Sequence, residues 1–180
     1  MKQINVEITG IAPLLQNRYQ TENNGQNQSK AKKKVYDPVE EAKKCLYKTS
    51  EGEIYQPSEH IYQSMVKAST DFKFEGKKSY KDLIQSRILI EPEAIPLIFE
   101  EEYEIDTRPV VIQRARVLKW RPKFNNWKLK FQLVILDDEN ISVNVAKEIL
   151  EKAGITKGIG DYRPRFGRFT ITSWQPQESQ

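Results

Sequence analysis

The chain has 180 residues, of which 38% are hydrophobic and 30% are charged, with a formal net charge of +4 at pH 7. This length and composition predict one cytoplasmic globular domain, over residues 1–175 with a polar tail at 176–180. No apolar run approaches the ~20 residues of a membrane span, and the lone Cys45 cannot form an internal disulfide. One cysteine and one histidine cannot supply the usual zinc ligands, so we expect no metal or other cofactor.

The first elements follow from an alternating strand pattern and from helix-start signals. Gln3–Thr9 predicts a strand, because apolar side chains recur at every second position. The polar segment Gln20–Lys34 has little to bury, so we expect a mobile loop there. Asp37 as N-cap and Pro38 at the first helical position predict a short helix that ends near Tyr47.

The middle of the chain predicts one clear helix and then irregular structure. Apolar spacing indicates a helix over Pro57–Thr70, with Ser58 as its cap. Residues 79–107 contain short apolar runs, but Pro92 and Pro96 exclude a long central strand. We therefore treat residues 20–56 and 72–107 as insertions, which surface loops tolerate.

The C-terminal part is more regular. Alternation predicts strands over Pro109–Lys119 and Trp127–Ile135, joined by a turn at Arg121–Asn126. Ser142 or Asn140 caps a following helix, which Gly154 ends. A last strand covers Phe169–Trp174, and the polar residues from Gln175 onward are expected to fray.

These elements give the order strand, helix, strand, strand, helix, strand. This is the β-α-β-β-α-β order of the ferredoxin-like fold, an α+β class with an antiparallel sheet and helices on one face. The fold itself does not determine a function, so the candidate site has to be argued from its residues.

The positive charge is concentrated in one third of the chain. Residues 108–168 hold 14 Lys and Arg against 6 Asp and Glu, a net charge of +8, whereas residues 1–107 carry −3. Such a basic region favours phosphate-rich partners. A solvated surface of mixed charge is the alternative.

A glycine- and arginine-rich loop is predicted between the last helix and the last strand. Glycine permits positive φ and close approach of the backbone, arginine binds phosphate, and aromatics stack on bases. Either nucleic-acid contact or a tight structural turn explains the glycines, and pairing with Asp161 is the alternative for the arginines. The candidate residues of the loop are Gly158, Gly160, Tyr162, Arg163, Arg165, Gly167 and Arg168.

Further basic residues are expected on the open face of the sheet. Arg114 and Arg116 face outward on one predicted strand, and Lys128 and Lys130 do so on its neighbour. If the strands pair, an anionic partner would relieve the repulsion of these like charges, although a solvated face explains them equally well. This face offers no aromatic side chain, so a standard RRM is not expected.

Two segments share the pattern Arg-Pro-basic-Phe. Arg121, Lys123 and Phe124 belong to the predicted turn, and the second copy is Arg163-Pro164-Arg165-Phe166 in the loop. If both are loop tips that lie near each other, they make a basic, aromatic clamp in which Tyr162, Phe124 or Phe166 stacks on bases. The alternative is that the two phenylalanines plug the ends of the core.

The loop and two other segments resemble the RAMP superfamily of CRISPR RNA-binding proteins. Gly158-Ile159-Gly160, the basic pair Arg163 and Arg165, and Gly167-Arg168-Phe169 match that family's glycine-rich loop between second helix and fourth strand. The segments Ile8–Leu15 and Gly52–Pro57 are similar to its first-strand end and to its entry to the first helix. The chain is also similar to small phage and prophage proteins with a comparable C-terminal run. The resemblance implies ferredoxin-like structure and RNA binding.

The sequence departs from the family in two places. Phe169 stands where the family's loop often has its last glycine. The RNA-cleaving members carry a histidine early in their first domain, and the only histidine here is His60, with no partner nucleophile evident from spacing. The acidic run Asp137-Asp138-Glu139 is better explained by turn and N-cap roles than by metal binding.

We therefore expect a non-enzymatic protein that binds single-stranded nucleic acid, RNA ahead of DNA. The alternative is a phage protein-interaction or assembly module that self-associates or acts on a nucleoprotein complex. A metal-independent ribonuclease that uses His60 is the enzyme hypothesis. No membrane partner is expected.

Overall fold

A computed structural model describes residues 1–19, 37–112 and 114–177, except for the side chains of Ile112 and Ala115. The predicted mobile loop Gln20–Lys34 lies outside the described residues. The helices are α1 (Pro38–Lys44), α2 (Ser58–Ser69), α3 (Lys81–Arg87) and α4 (Val143–Thr156). The strands are β1 (Lys2–Gly10), β2 (Leu14–Leu15), β3 (Tyr55–Pro57), β4 (Lys73–Glu75), β5 (Lys78–Ser79), β6 (Ile88–Glu91), β7 (Ala94–Phe99), β8 (Glu104–Ile112), β9 (Ala115–Phe124), β10 (Trp127–Ile135) and β11 (Phe169–Pro176).

Six strands form the main antiparallel sheet, in the order β11-β1-β10-β7-β3, with β6 also paired to β10. β6 and β7 lie along the same edge of β10: β6 pairs with residues 132–135 and β7 with residues 127–129. Pro92 lies between β6 and β7, so the prediction that it interrupts a long strand is confirmed, whereas Pro96 lies within β7 opposite Tyr55 and does not interrupt it. The prediction that this region is otherwise irregular is wrong, because it supplies strands of the sheet.

One face of the main sheet is buried under α2 and α4. In β1, Ile4, Val6 and Ile8 are at most 3% exposed, while the intervening residues are partly or fully exposed. The same alternation runs through most of β10. The helices contribute Ile61, Met65, Ala68, Ala146, Ile149, Leu150 and Ala153 to this core. The apolar residues at every second strand position therefore pack against the apolar faces of the two helices in one layer.

Local sequence signals predicted the starts of α1 and α4 correctly but misplaced the cap of α2 and the end of α4. The Asp37 carboxylate accepts a hydrogen bond from the Val39 N–H, and Ser142 does so from the Val145 N–H, so both predicted caps are confirmed. Ser58 is the first helical residue of α2 and not its cap. Gly154 does not end α4, which continues to Thr156.

The strand predicted over Pro109–Lys119 is wrong, because the chain reverses within it. β8 and β9 form a hairpin whose turn includes Arg114 at φ 69°. This hairpin pairs with β2 in a separate three-stranded sheet. The predicted turn at Arg121–Asn126 is correspondingly shorter, since β9 continues through Phe124.

The described part of the chain is a mixed α+β structure with antiparallel sheets and four helices. None of these helices combines the length and the apolar character that a membrane span needs. The C-terminal strand is longer than predicted: β11 reaches Pro176, and the Gln177 N–H donates to the Gln3 carbonyl at 2.8 Å. The expectation that the chain frays from Gln175 is therefore wrong as far as Gln177.

Gly154 should tolerate no side chain. A Cβ at this position would lie 2.8 Å from Cδ2 of Phe169, so we expect Gly154→Ala to lower the free energy of unfolding by about 1–3 kcal/mol through overpacking. In an exposed helix the same substitution stabilises by about 1 kcal/mol. Urea denaturation measures the change, with Glu151→Ala on the exposed side of α4 as control. A stabilised Gly154→Ala variant would contradict the packing described here.

Candidate nucleic-acid interface

The glycine-rich loop, residues 157–168, is tied along its length to residues 11–15. The Ile11 N–H donates to the Arg168 carbonyl at 2.9 Å, the Gly167 N–H to the Pro13 carbonyl at 2.8 Å, and the Asp161 N–H to the Leu15 carbonyl at 2.8 Å. The loop also closes on itself, because the Ile159 N–H donates to the carbonyl of Gly167 at 2.9 Å. Two of the segments on which the RAMP resemblance rests, Ile8–Leu15 and the glycine-rich loop, therefore contact each other although they are remote in sequence.

The three glycines allow this close packing. Gly158, Gly160 and Gly167 have φ values of +67°, +75° and +71°. A Cβ on Gly160 would lie 2.5 Å from the Leu15 carbonyl oxygen, and one on Gly158 would lie 2.9 Å from that of Phe166. A Cβ on Gly167 would collide with the backbone of Ile159. The geometry accounts for the glycines as a structural turn, and contact between their backbone and a ligand stays a prediction.

The loop presents its three arginines to solvent. Arg163, Arg165 and Arg168 are exposed, and none of them forms an ion pair within the described residues. Asp161, the carboxylate expected to compete for them, is engaged elsewhere: its Oδ2 lies 2.7 Å from Arg121 Nε and accepts a hydrogen bond from Asn17 Nδ2 at 3.0 Å. The three positive charges thus remain available to an anionic partner.

Arg121 does not lie at a hairpin tip, so its predicted place is wrong. It belongs to β9 and is 4% exposed. Its Nε is close to Asp161 but makes no well-aligned hydrogen bond, and in the described part of the chain Arg121 carries the buried side-chain nitrogens without a partner, Nε and Nη1. The contact is therefore an ion pair, with the guanidinium 5.8 Å from the centre of the Tyr162 ring. Arg121 therefore contacts the loop from its buried side, through Asp161 and Tyr162.

A second arginine of the hairpin, Arg108, also supports the loop. Its Nε donates to both carboxylate oxygens of Asp106, at 2.8 and 2.9 Å. Its guanidinium lies 5.3 Å from the ring centre of Tyr162 and 4.8 Å from that of Phe166. Neither Asp106 nor Arg108 was predicted from the sequence. The sequence signal was the spacing Asp106-x-Arg108. It predicts that the two side chains share one face of a strand only after β8 has been assigned as a strand.

The remaining basic candidates lie in two separate places. Arg114 and Arg116 are exposed near the turn of the β8–β9 hairpin, whereas Lys128 and Lys130 are exposed on β10 in the main sheet. The expectation that these four lie on adjacent paired strands is therefore wrong. Lys130 pairs with Glu7 at 3.1 Å and holds the pKa of that carboxyl below its usual value.

The aromatic candidates divide by burial. Phe124 is 1% exposed and packs on Phe99, and Phe166 is 6% exposed. Tyr162 is 46% exposed. The predicted clamp of two loop tips is wrong, because Arg121 is buried in β9 and pairs with Asp161, which precedes the second segment. Lys123 pairs with Glu104 at 2.7 Å. Both phenylalanines are buried, as the alternative expected. Of the three predicted stacking side chains, Tyr162 is the one at the surface.

His60 lies in the first turn of α2. Burial lowers the pKa of this imidazole, and the positive charge of Arg163 lowers it further. The Tyr47 ring stands edge-on to it, with 5.6 Å between ring centres. Burial also raises the pKa of the Cys45 thiol, which keeps this group in its unreactive protonated form.

The acidic run after β10 has structural partners. Asp137 accepts a hydrogen bond from the Glu139 N–H at 3.1 Å and forms an ion pair with Arg87. Asp138 pairs with the N-terminal amine at 3.1 Å, which lowers the pKa of its carboxyl. Across the described residues, no group of three or more histidine, cysteine or acidic side chains is placed to hold a metal ion.

The comparisons with known proteins leave the function to be inferred from this geometry. No protein-family model and no curated protein sequence matches the chain. The resemblance to the RAMP superfamily accordingly rests on the quoted motifs alone.

The Arg121–Asp161 pair should stabilise the whole loop. We expect Arg121→Met to lower the free energy of unfolding by about 2–4 kcal/mol, because Asp161 loses its partner in a largely buried site. The effect stays below that of a fully buried pair because the Asp161 side chain is 32% exposed. Arg165→Met is the control, since surface changes usually fall within about 0.5 kcal/mol. Equal unfolding free energies of the two variants in urea would refute the role of the pair.

Proposed function

We propose that this protein binds single-stranded nucleic acid and does not cut it, with RNA ahead of DNA. The observation that carries the proposal is a set of three exposed arginines that form no ion pair with any described residue, on a loop whose backbone is held at both ends. Phosphate contacts supply most of the affinity for nucleic acids, and a preformed loop lowers the entropy lost on binding. RNA is preferred because the motifs resemble those of RNA-binding proteins.

The contacts can be assigned by exposure. Arg163, Arg165 and Arg168 hold phosphates, and Tyr162 stacks on a base beside them. Arg114 and Arg116 on the hairpin and Lys128 on the open sheet face extend the positive track. Arg121 is left out of the contact set because it is buried.

The proposal includes a ferredoxin-like arrangement of RAMP type. The core elements follow the order β1, α2, β6 with β7, β10, α4 and β11 along the chain. In the main sheet the last core strand lies beside the first, the first beside β10, and β10 beside the broken strand β6–β7. The β8–β9 hairpin is then an insertion between the second and third core strands. In this proposed arrangement the glycine-rich loop lies between the second helix and the fourth strand, and its agreement with the resemblance supports the proposal.

A second candidate function, a protein-interaction module, is favoured by the β8–β9 hairpin. Its outer part carries exposed apolar side chains: Val111 is 70% exposed and Leu118 is 56% exposed. Val111 pairs opposite Arg116 and Leu118 opposite Pro109, so these side chains share one face of the hairpin. Exposed apolar surface of this kind often marks contacts between proteins.

A variant of the β8–β9 hairpin distinguishes the two functions. If the module function holds, sedimentation should show an assembly that the double substitution Val111→Ser and Leu118→Ser dissociates, with RNA affinity unchanged. If binding of nucleic acid is the function, the wild-type chain should bind RNA whether or not it assembles. A monomer in sedimentation at every concentration would reject self-association through the hairpin.

Removing two loop arginines should test the main proposal. We expect Arg163→Ala with Arg165→Ala to weaken binding of a labelled oligouridylate at least about tenfold at low salt, because two phosphate contacts are lost. The slope of log affinity against log salt should fall by about 1.4, at about 0.7 per contact with a single strand. Fluorescence anisotropy at several salt concentrations gives both values.

The matched control is Lys77→Ala with Lys78→Ala, which removes the same charge from the exposed β4–β5 hairpin. Its salt slope should stay near the wild-type value. Equal affinities of the arginine variant and the wild type would reject the loop as the binding site. Integrity of the labelled RNA after incubation tests the absence of cleavage.

A further inference from the structure

A cleft of about 200 Å³ opens at one end of the main sheet, where β1 and β7 end and β10 begins. Gly10, Phe99 and Trp127 line it from these three strands. Its volume is below the ~300–1,000 Å³ of pockets for drug-sized ligands. The cleft therefore has room for one small ring system.

The floor of the cleft, formed by Gly10 and Trp127, is fixed by packing. A Cβ on Gly10 would collide with the indole ring of Trp127, so this position requires glycine. The Trp127 Nε1–H donates to the Ala12 carbonyl at 2.9 Å. The indole also stands edge-on to the buried Phe169 ring, with 6.5 Å between ring centres. The cleft is thus formed before a ligand enters, which lowers the entropy lost on binding.

The rim of the cleft combines an apolar wall with polar groups. Ile98 is 40% exposed and pairs opposite Lys128, which in turn pairs opposite Thr9. The three side chains therefore form one row across the open face of the sheet. The carboxylate of Glu100 and the amide of Asn126 complete the lining. An ionised carboxylate only accepts hydrogen bonds, whereas the amide both donates and accepts.

The cleft lies beside the end of the glycine-rich loop. Gly10 pairs opposite Phe169 on β11, and the Ile11 N–H donates to the Arg168 carbonyl at 2.9 Å. Phe169 is buried on the core side of the sheet. Because successive side chains alternate between the two faces, the exposed Arg168 lies on the open side, with Thr9 and Lys128.

This lining suits a nucleobase better than a phosphate. A base can place its apolar ring faces against Ile98 and the aromatic floor while its polar edge meets the rim. A phosphate would meet the like charge of Glu100 and an apolar floor. Arg168 offers the phosphate a site next to the cleft.

We propose that the cleft binds one base of the single strand, and that Glu100 selects bases with an exocyclic amino group. This inference rests on the proposed function and adds a base-reading subsite to it. Cytosine presents an amino donor at the position where uracil, like thymine, presents a carbonyl oxygen. The Glu100 carboxylate accepts a hydrogen bond from the amino group and repels the carbonyl.

The first experiment compares oligocytidylate with oligouridylate of equal length, because the two differ only at this edge of the base. We expect the wild type to bind oligocytidylate about three- to tenfold more tightly, the effect of one hydrogen bond. Glu100→Gln supplies an amide that both donates and accepts, so the ratio of the two affinities should approach one. Fluorescence anisotropy measures both affinities.

The matched control is Glu101→Gln, which removes the same charge one residue away from the lining. Its overall affinity changes with the charge, but the ratio of the two affinities should stay at the wild-type value. Ile98→Ala shortens the apolar wall and should weaken binding of both oligonucleotides about two- to fivefold. An unchanged preference in Glu100→Gln would refute selection by Glu100.

The second experiment locates the bound base by NMR. On titration with oligocytidylate, we expect shifts of the Gly10 and Lys128 amide signals and of the Trp127 indole N–H signal. The same backbone spectra report whether each variant is folded. Signals that move in the loop but not at the cleft would overturn the proposed subsite.

The outcomes distinguish this inference from the proposed function. If the wild type binds neither oligonucleotide, the proposed function fails, and the base subsite fails with it. If it binds both equally well, the loop function stands and the selection of an amino-bearing base is refuted. A preference for oligocytidylate that Glu100→Gln abolishes and Glu101→Gln retains, with shifts at the cleft, supports the subsite.

Discussion

Everything at the candidate site depends on the hydrogen bonds that tie the glycine-rich loop to residues 11–15. These bonds can form only because Gly158, Gly160 and Gly167 take positive φ and leave no Cβ between the two backbones. Phe166 and Ile159 are buried by the same approach. The loop is therefore packed against the rest of the fold, and its three arginine side chains are exposed to solvent.

A second constraint decides which charges remain free. The one carboxylate of the loop, Asp161, is held by Arg121 and Asn17. Because a buried guanidinium needs a counter-charge, Asp161 pairs with Arg121 and is not available to Arg163, Arg165 and Arg168. The buried ion pair and the stacking of Arg108 on the loop aromatics join the hairpin to the loop. The concentration of positive charge in residues 108–168 thus has two parts, one structural and buried, the other exposed.

The elements that the sequence predicted correctly are those whose signals are local. The β10 strand follows from its alternation, α2 from its apolar stripe, and α1 and α4 from Asp37 and Ser142 at their N-caps. The β8–β9 hairpin was misjudged because alternation continues on both sides of a turn whose residue with positive φ is an arginine and not a glycine. Strands β6 and β7 were missed because Pro92 separates them and their pairing with β10 is a non-local property.

The amino-acid sequence by itself determined the position of the loop between a helix and a strand, its glycines, and the exposure of most of its charges. These follow from backbone sterics and from hydrophobic periodicity, which act over a few residues. The tertiary structure alone decided that Asp161 pairs with Arg121, that Phe124 and Phe166 are buried, and that Gly10, Phe99 and Trp127 line one cleft. These contacts join residues from separate segments, and their energies depend on burial and on the orientation of the partners, which only the assembled fold supplies.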